Sequence, residues 1–451
     1  MLHQVVKIQI KVYFMPILNS PVKMPARFFE VNKELFLCFF CVSIALANNT
    51  FALKETAFGR LDLSASLSAE YDSRVFGISS QSLQDIRTSG TTGSGTTGVA
   101  VDEIESEDDL ILTFTPAIHY TKKLRWFTFS GSAGVQLAQF VKNDKKSYIQ
   151  PTSTFSIDFD ESLKKRISNN AKIRFDMNFD LGQKVETSVL EQDLVSYSYF
   201  LVAANVRYNH SSKFGLGAGT SYTYRNYQDW ATGGQTNSAY SDLATIPIYA
   251  RAFYIYSEKL DFFTEYNFSR SRNMSGGGGS SLTDGATHGV SFGAQGELSP
   301  KLSGNANIGY VRQVYDSGFS GQSTLSLGSG LQWSLNRKTS VGFDLNRGFS
   351  PSAQGYTMLN TTGRVSLNHR FTDDVSGTAY VSYGTTDYTY AAGTASSTSS
   401  NSLDNIGFGT NVTKTLSKHF TTSGGYSFSH IARDSESYGR HLVRVDLNGR
   451  F

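Results

Sequence analysis

The chain closes on "HLVRVDLNGRF" (441–451), which places Val443, Val445 and Leu447 at every second position and stops on Phe451. Alternate side chains of a strand point to opposite faces, so this period of two describes one apolar and one polar face. A terminus that frays in water gains little from a final aromatic ring. The stretch therefore reads as a strand whose apolar face meets something other than water. "AKIRFDMNFDL" (171–181) repeats the pattern more strictly, with Ile173, Phe175, Met177, Phe179 and Leu181 alternating against Arg174, Asp176, Asn178 and Asp180. "LDLSASLSAEYDS" (61–73) does so too, its odd positions apolar up to Tyr71 and its even positions polar from Asp62 to Asp72.

A soluble sandwich would alternate in the same way, so the connections decide. Eight short, mostly basic turns recur: "TKKL" (121–124), "LKKRIS" (163–168), "NHSSKF" (209–214), "SEKL" (257–260), "LSPKL" (298–302), "LNRKTS" (335–340), "RFTDDV" (370–375) and "LSKHF" (416–420). Between them lie longer stretches rich in Gly, Ser and Asn, such as 228–241, 271–285 and 389–402. Short turns on one edge and long loops on the other describe a transmembrane antiparallel up-and-down β-barrel, with periplasmic turns and extracellular loops. Eight turn-centred hairpins, one strand at 60–73 and one at 439–451 make about eighteen strands, an even number as such barrels require.

Composition agrees. With 24 Tyr, 32 Phe and 41 Gly among 451 residues, the chain favours strands and turns over helices. Its hydrophobic share of 39% is low for helical membrane spans but sufficient where only one face of each strand is apolar. Aromatics near the short turns (Tyr120, Trp126, Phe159, Tyr256, Phe262, Phe371, Phe420, Phe451) and near the long loops (Phe140, Tyr227, Trp230, Tyr315, Phe349, Tyr356, Tyr388, Tyr438) are expected to form two girdles at the two lipid–water boundaries.

The N-terminus reads as a leader. "LFLCFFCVSIALA" (35–47) is too short to span a bilayer, follows Arg27 and Lys33, and ends in Ala45-Leu46-Ala47, the form of a signal-peptide cleavage site. Residues 1–47 are thus expected to be a signal peptide, with Met24 as an alternative start, 48–59 a periplasmic segment and 60–451 the barrel. Cleavage would remove both cysteines, Cys38 and Cys41, and with five basic and two acidic residues would take the formal charge from +3 to zero. A nucleic-acid binder would carry a basic excess instead.

No catalytic motif stands out. "GSGTTG" (93–98) has the form of a dinucleotide fingerprint but lies in a Thr/Gly tract with no helix pattern after it, so it reads as a loop. The histidines His119, His210, His288, His369, His419, His430 and His441 lack metal-ligand spacing. The expectation is a non-enzyme with no cofactor and no metal.

Parity predicts the wall of the lumen. Asp62, Glu70, Asp158, Asp160, Arg174, Asp176, Asp180, Arg207, Arg225, Arg251, Asp261, Glu265, Arg312, Asp344, Arg364, Arg444 and Asp446 are assigned inward. About eighteen strands enclose a space too wide for side chains to fill, so the interior should hold water. In the longest loop, about 74–109, Asp102, Glu103, Glu105, Glu107, Asp108 and Asp109 are candidates for a constriction, for divalent cations between lipopolysaccharide heads, or for a solvated acidic loop. The expected partners are outer-membrane lipid and lipopolysaccharide, and small polar solutes or oligosaccharide. A homo-oligomer stays open, since no subunit face is legible.

Two resemblances add to this. The ending is similar to the signal read by the outer-membrane barrel-assembly machinery, matched by Val443, Val445, Leu447 and Phe451, with Gly449 departing from it. "SLSAEYDSRVFG" (66–77), followed by hairpins with L-S-x-K-type turns, resembles the β-barrel porin 2 family, outer-membrane proteins sometimes encoded with exopolysaccharide genes. Members often open with Y-D-x-N-V/I-F/Y. Tyr71, Asp72, Val75 and Phe76 match, while Arg74 stands where Asn is usual. The resemblance implies an outer-membrane channel for passive diffusion of small hydrophilic solutes. It also permits a barrel linked to exopolysaccharide export, or a non-conducting structural or adhesive barrel.

Overall fold

The computed structural model describes residues 59–451 apart from 78, 81–82, 85–103, 125–126, 160–164, 167–171, 189–192, 228–240, 275–283, 317–319, 353–356, 390–401 and 434–435. The expected signal peptide and periplasmic segment, 1–58, lie outside the described residues, as do Trp126, Trp230, Tyr356, Asp160, Asp102 and Glu103. Among the described residues no helix is long and apolar enough to cross a membrane.

The strands follow the alternation. They are β1 (Arg60–Asp72), β2 (Asp109–Lys123), β3 (Thr128–Phe140), β4 (Tyr148–Phe159 with Lys165–Arg166), β5 (Lys172–Ser188) and β6 (Asp193–Asn209). Then come β7 (Phe214–Tyr227), β8 (Leu243–Ile255), β9 (Leu260–Asn273), β10 (Gly285–Ser299), β11 (Leu302–Tyr315) and β12 (Gln322–Ser334). The series ends with β13 (Thr339–Pro351), β14 (Thr357–Arg370), β15 (Val375–Thr389), β16 (Ser402–Thr415), β17 (Phe420–Arg433) and β18 (Glu436–Arg450). Both pieces of β4 pair with β5, so they are one strand, and the count is eighteen. The turn expected at 163–168 is corrected here: Lys165 and Arg166 still belong to the strand, and the reversal comes after them.

Every strand pairs antiparallel with its sequence neighbour, and β1 also pairs with β18 from Ser64↔Arg450 to Asp72↔Leu442. The sheet is closed, so no strand edge faces hydrocarbon with unpaired amides. The closing pair reaches the last residue: the Phe451 amide donates to Leu63 O at 2.8 Å and the Leu63 amide to Phe451 O at 2.9 Å. The Phe451 ring stacks on His419 at 5.7 Å and meets Phe420 edge-on at 5.5 Å. The β12–β13 ladder is short. β12 and β13 are in register only up to Leu327↔Arg347. There the Arg347 guanidinium donates to both Thr324 Oγ1 (3.2 Å) and Thr361 Oγ1 (2.6 Å), spanning the place where the ladder stops.

The outer face is apolar. Phe292 (59%), Tyr310 (59%), Val381 (59%) and Val445 (54%) are exposed and share parity along their strands. Tyr120, Phe129, Phe155, Phe179 and Phe200 contact one another edge-on across five strands, with centroids 4.8–5.7 Å apart. Such geometry satisfies the ring quadrupoles in a surrounding with no hydrogen-bonding solvent. Near the short turns Tyr256, Phe262 and Phe371 are exposed as a girdle requires. The girdle expected at the long loops is corrected. Phe140, Tyr315 and Tyr438 are buried, and with Tyr388 they share a face with inward polar residues, packing within the barrel mouth.

The hairpin between β10 and β11 carries a register shift at Glu297/Ser299, beside the facing pair Gly296 (φ +119°) and Gly304 (φ +140°). A Cβ at Gly296 would sit 1.9 Å from Lys259 O, in the turn before β9, and one at Gly304 2.0 Å from Gly330 O, on β12. Gly304→Ala is therefore expected to lower the urea midpoint of the detergent-folded barrel by a strain of about 1–3 kcal/mol or more. Gly424→Ala, where nothing lies within 4 Å of the added carbon, should leave it within error.

Candidate functional site: the inner wall and the mouth

Adjacent backbones about 4.8 Å apart, tilted about 40°, place opposite walls of an eighteen-strand barrel roughly 35 Å apart. Inward side chains cannot close that gap alone, so what matters is how the wall charges are used and what the loops fill.

Along the closing junction three ion pairs cross from β1 to β18 on the inner face. Asp62 accepts from Arg450 Nη2 at 2.8 Å and from Arg60 Nε at 2.8 Å. Glu70 lies opposite Arg444 at 3.4 Å, with Asp446 2.7 Å from the same guanidinium. Asp72 takes Arg440 in a forked contact, with Nε 3.0 Å from each carboxylate oxygen. Asp62 and Asp72 are buried, so these charges act on each other before they act on a solute.

Across β6–β10 the wall is also self-paired. Arg207 donates to Asp261 at 2.8 Å and lies 4.3 Å over the Phe253 ring. Arg251 donates to Glu265 at 2.7 Å and Gln295 at 3.0 Å, and lies 4.2 Å over Phe263. The sequence permits this because Gly219, between Asn205 and Tyr249, has no side chain: a Cβ there would be 2.3 Å from Asn205 Oδ1 and 2.5 Å from the Tyr249 ring. The Tyr249 hydroxyl can then donate to Asn205 at 2.9 Å.

Elsewhere the charges are open. Arg225 lies 5.6 Å over Tyr197 and Arg364 3.8 Å over Tyr380, neither with a carboxylate partner among the described residues. Asp344 faces Arg364 in register and is exposed. Both border a cavity of about 380 Å³ with Asn305, Asn346 and Thr362, over Gly328 and Gly330. This polar recess holds one acid, one base and two amides. Asp180 sits half-buried on β5, while the side chains of Asp158, Arg174 and Asp176 lie outside the described ones. The assignment of Arg312 is corrected. It pairs in register with His288 and shares its face with exposed Tyr310 and Val314, so it points away from the lumen. Its charge misled the parity reading, because polar residues also occur on the outer face where strands leave the hydrocarbon.

At the mouth the loop after β1 turns inward. Val75 and Phe76, each 1% exposed, pack with Leu83 and Ile104 on the inward residues Ile111 and Phe140 of β2 and β3. Phe76 and Phe140 stack at 5.9 Å. Tyr438 donates to Gly77 O at 2.5 Å, the Ser73 amide to His441 O at 2.9 Å and the Val75 amide to Glu107 O at 2.8 Å. Asp72, Val75 and Phe76 are thus the residues that dock this loop, while Tyr71 lies on the outer face with its hydroxyl 3.3 Å from Asp108.

The acidic stretch is counter-charged. Glu105 pairs with Lys145 (3.0 Å), Glu107 with Arg74, and Asp108 with Lys142 (2.6 Å). Asp109 is fully buried and accepts from the amides of Leu110, Val141, Lys142 and Asn143 and from Asn143 Nδ2. Its place in a constriction is corrected: it ties the β1–β2 loop to the β3–β4 loop. Arg440 and Asn143 were not singled out from the sequence, and Tyr438 and Phe140 were assigned to the girdle at the long loops instead. Arg440 and Tyr438 share the parity of Arg444 and Asp446, which was the available signal; Asn143 had none.

A closed sheet of eighteen strands, apolar outside and charged inside, with the described part of the loop after β1 packed on its inward residues, defines a transmembrane β-barrel channel of the porin class. The model of the family described as "Putative beta-barrel porin 2" matches residues 155–451, and the chain belongs to that family. Its place is accordingly the bacterial outer membrane. Among curated proteins none matches the chain. Solved structures similar to it include OccAB4 of Acinetobacter baumannii, 12% identical, covering 89% of this chain and 100% of that one with a TM-score of 0.43. Also similar is OccK2 (OpdF) of Pseudomonas aeruginosa, solved with glucuronate, 9% identical over 87% and 97% with a TM-score of 0.44. OpdK of the same organism, solved with vanillate, is 10% identical over 87% and 98% with a TM-score of 0.42.

The Lys142 ammonium bound to Asp108 holds that carboxyl below its usual value, and Lys142 is raised in turn. A depressed carboxyl stabilises the docked loops above its unfolded value of 3.8 and loses that contribution as pH falls through the lower folded value. Hydrogen exchange of 104–109 and 141–147, corrected for the intrinsic rate, should rise below about pH 4. Asp108→Asn should remove that step.

Proposed function

We propose that the protein lets small hydrophilic solutes diffuse through its lumen across the outer membrane, without energy coupling and without catalysing a reaction on them. What carries this reading is the polar inner face of a closed sheet too wide for its own side chains to fill. The inward charges Asp62, Glu70, Asp180, Arg207, Arg225, Arg251, Asp261, Glu265, Asp344, Arg364, Arg444 and Asp446 supply a field of mixed sign, which suits polar solutes of either charge. The open pair Asp344 and Arg364 is the part of that wall best able to discriminate among them. Residues 1–47 would carry the chain to the periplasm and be removed there. Val443, Val445, Leu447 and Phe451 would present it to the assembly machinery.

Although Tyr197 is buried beneath Arg225, the second reading, a conduit for polysaccharide, draws on Tyr249, which faces inward and offers a ring on which sugars stack. It is weakened at Phe253, whose ring is covered by Arg207.

Planar-bilayer recording of the purified barrel tests the channel. Discrete open-pore steps are expected, and silence from a folded barrel would overturn the proposal in favour of a structural one. Phe76→Ala, which loosens the inward loop, should raise single-channel conductance and its noise. Arg364→Ala should shift ion selectivity toward cations at nearly unchanged conductance.

A further inference from the structure

The correction at Arg312 exposes a feature of the outer surface that the channel reading does not use. Arg270, Arg272, His288 and Arg312 all lie on the lipid-facing parity of β9, β10 and β11. Phe268 is in register with His288, which is in register with Arg312, and Arg270 faces Ala286 one step further out. Strand spacing sets Arg270 and Arg312 roughly 12 Å apart on a diagonal, and the β10 positions between them, Ala286 and His288, form the seat. Each lies ten residues beyond the periplasmic start of its strand. At ~3.4 Å per residue and a tilt of about 40° that is roughly 26 Å, the height of the apolar band of such barrels. The arginines therefore stand at the outer edge of the hydrocarbon.

Three observations make this more than a rim of solvated charge. Arg272 and Arg312 have no carboxylate partner among the described residues, because the acids of this face are engaged elsewhere: Asp316 by Arg270, Asp284 by the Asn273 amide, and Asp242 by Tyr224 and Asn226. The band directly beneath is apolar and exposed at Ile248, Val290 and Tyr310. Finally, the cations are local: at matching height on β15 and β16 the same outward parity carries Asp387 and Asp404. An acyl-lined floor capped by unpaired guanidinium groups fits one kind of molecule, an amphiphile with a phosphate in its headgroup. Guanidinium forks bind phosphate oxygens in pairs, and the cost of holding them on a lipid face falls to ~0–1 kcal/mol near the interface.

We propose that this sector of β9–β11 is a binding site for a phosphorylated glycolipid of the outer leaflet. Arg272 and Arg312, roughly 17 Å apart at the backbone, each take phosphate oxygens of the headgroup, Arg270 is shared with Asp316, and the hydrocarbon chains lie on the apolar strip below. His288, whose Nδ1 is 2.8 Å from the Tyr266 hydroxyl, is held in the seat. The inference rests on the outer-membrane reading but not on an open pore.

Native mass spectrometry of the full barrel in detergent, titrated with diphosphoryl lipid A, its dephosphorylated form or phosphatidylethanolamine, tests it. The diphosphoryl lipid is expected to be retained and the other two to bind at least tenfold more weakly. Arg272→Gln and Arg312→Gln should each weaken retention about fivefold, and together on the order of thirtyfold. Conductance, measured in parallel, should stay unchanged because both side chains point away from the lumen. Equal binding of phosphorylated and dephosphorylated lipid by the wild-type barrel would overturn the proposal whether or not the variants fold. So would full retention by the double variant, or displacement of the lipid by millimolar inorganic phosphate, which would mark a free-anion site. A silent pore that still retains the lipid would count against the channel alone.

Discussion

The rest of the structure depends on the pairing of the first strand with the last. In hydrocarbon an amide or carbonyl without a partner costs several kcal/mol, so a sheet can persist there only if it has no edge. β1 and β18 meet that demand over nine register pairs, extended by the reciprocal bonds between Leu63 and Phe451. Three carboxylates on β1 and three arginines on β18 then add ion pairs at three heights on the inner side of the same junction. Each pair is placed by the barrel's own register, since Glu70 stands opposite Arg444 and the others lie on neighbouring positions. The charges thus strengthen closure on the wet face, where water lowers the cost of keeping them ionised, while Tyr71, Val443 and Val445 face lipid on the other.

Closure decides what the interior can do. Most wall charges between β6 and β10 are consumed by carboxylate and ring contacts, so that part of the lumen is a stiff, mutually neutralised surface. The recess beside Asp344 and Arg364 is different: glycines on β12 leave it deep, and its acid and base are not joined to each other. At the mouth the same principle runs in reverse. Apolar residues face inward there, since the loop after β1 brings Val75 and Phe76 to meet them. A segment that enters a watery lumen needs such anchors, because solvent would otherwise compete for its backbone.

Some of the site was legible by counting parity. Glu70, Arg207, Arg251, Asp261, Glu265, Arg444 and Asp446 alternate with residues too apolar to face water, and the structure places each of them inward. Arg312 was misread because at the outer end of a strand the hydrocarbon is past, so polarity no longer marks the inner face. The aromatics near the long loops were misread for a related reason. A ring prefers an interface, but a folded loop inside the mouth offers it an apolar contact equally well. Asp109 was taken for one charge among six, whereas it is the acceptor for five donors, four of them in the loop after β3.

What the sequence determined by itself was periodic and local: which residues alternate, where the chain reverses, and that the number of strands is even. Those features follow from the pleat of a strand and the chemistry of turns, which need only near neighbours. What only the tertiary structure decided was which charge meets which. It also decided that the first loop turns inward, that Phe451 completes the ladder with Leu63, and that three arginines gather on one lipid-facing sector. Each of these joins residues brought side by side by register and closure, sometimes hundreds of positions apart. Alternation can tell in from out along one strand, but it carries no information about the strand that will stand beside it.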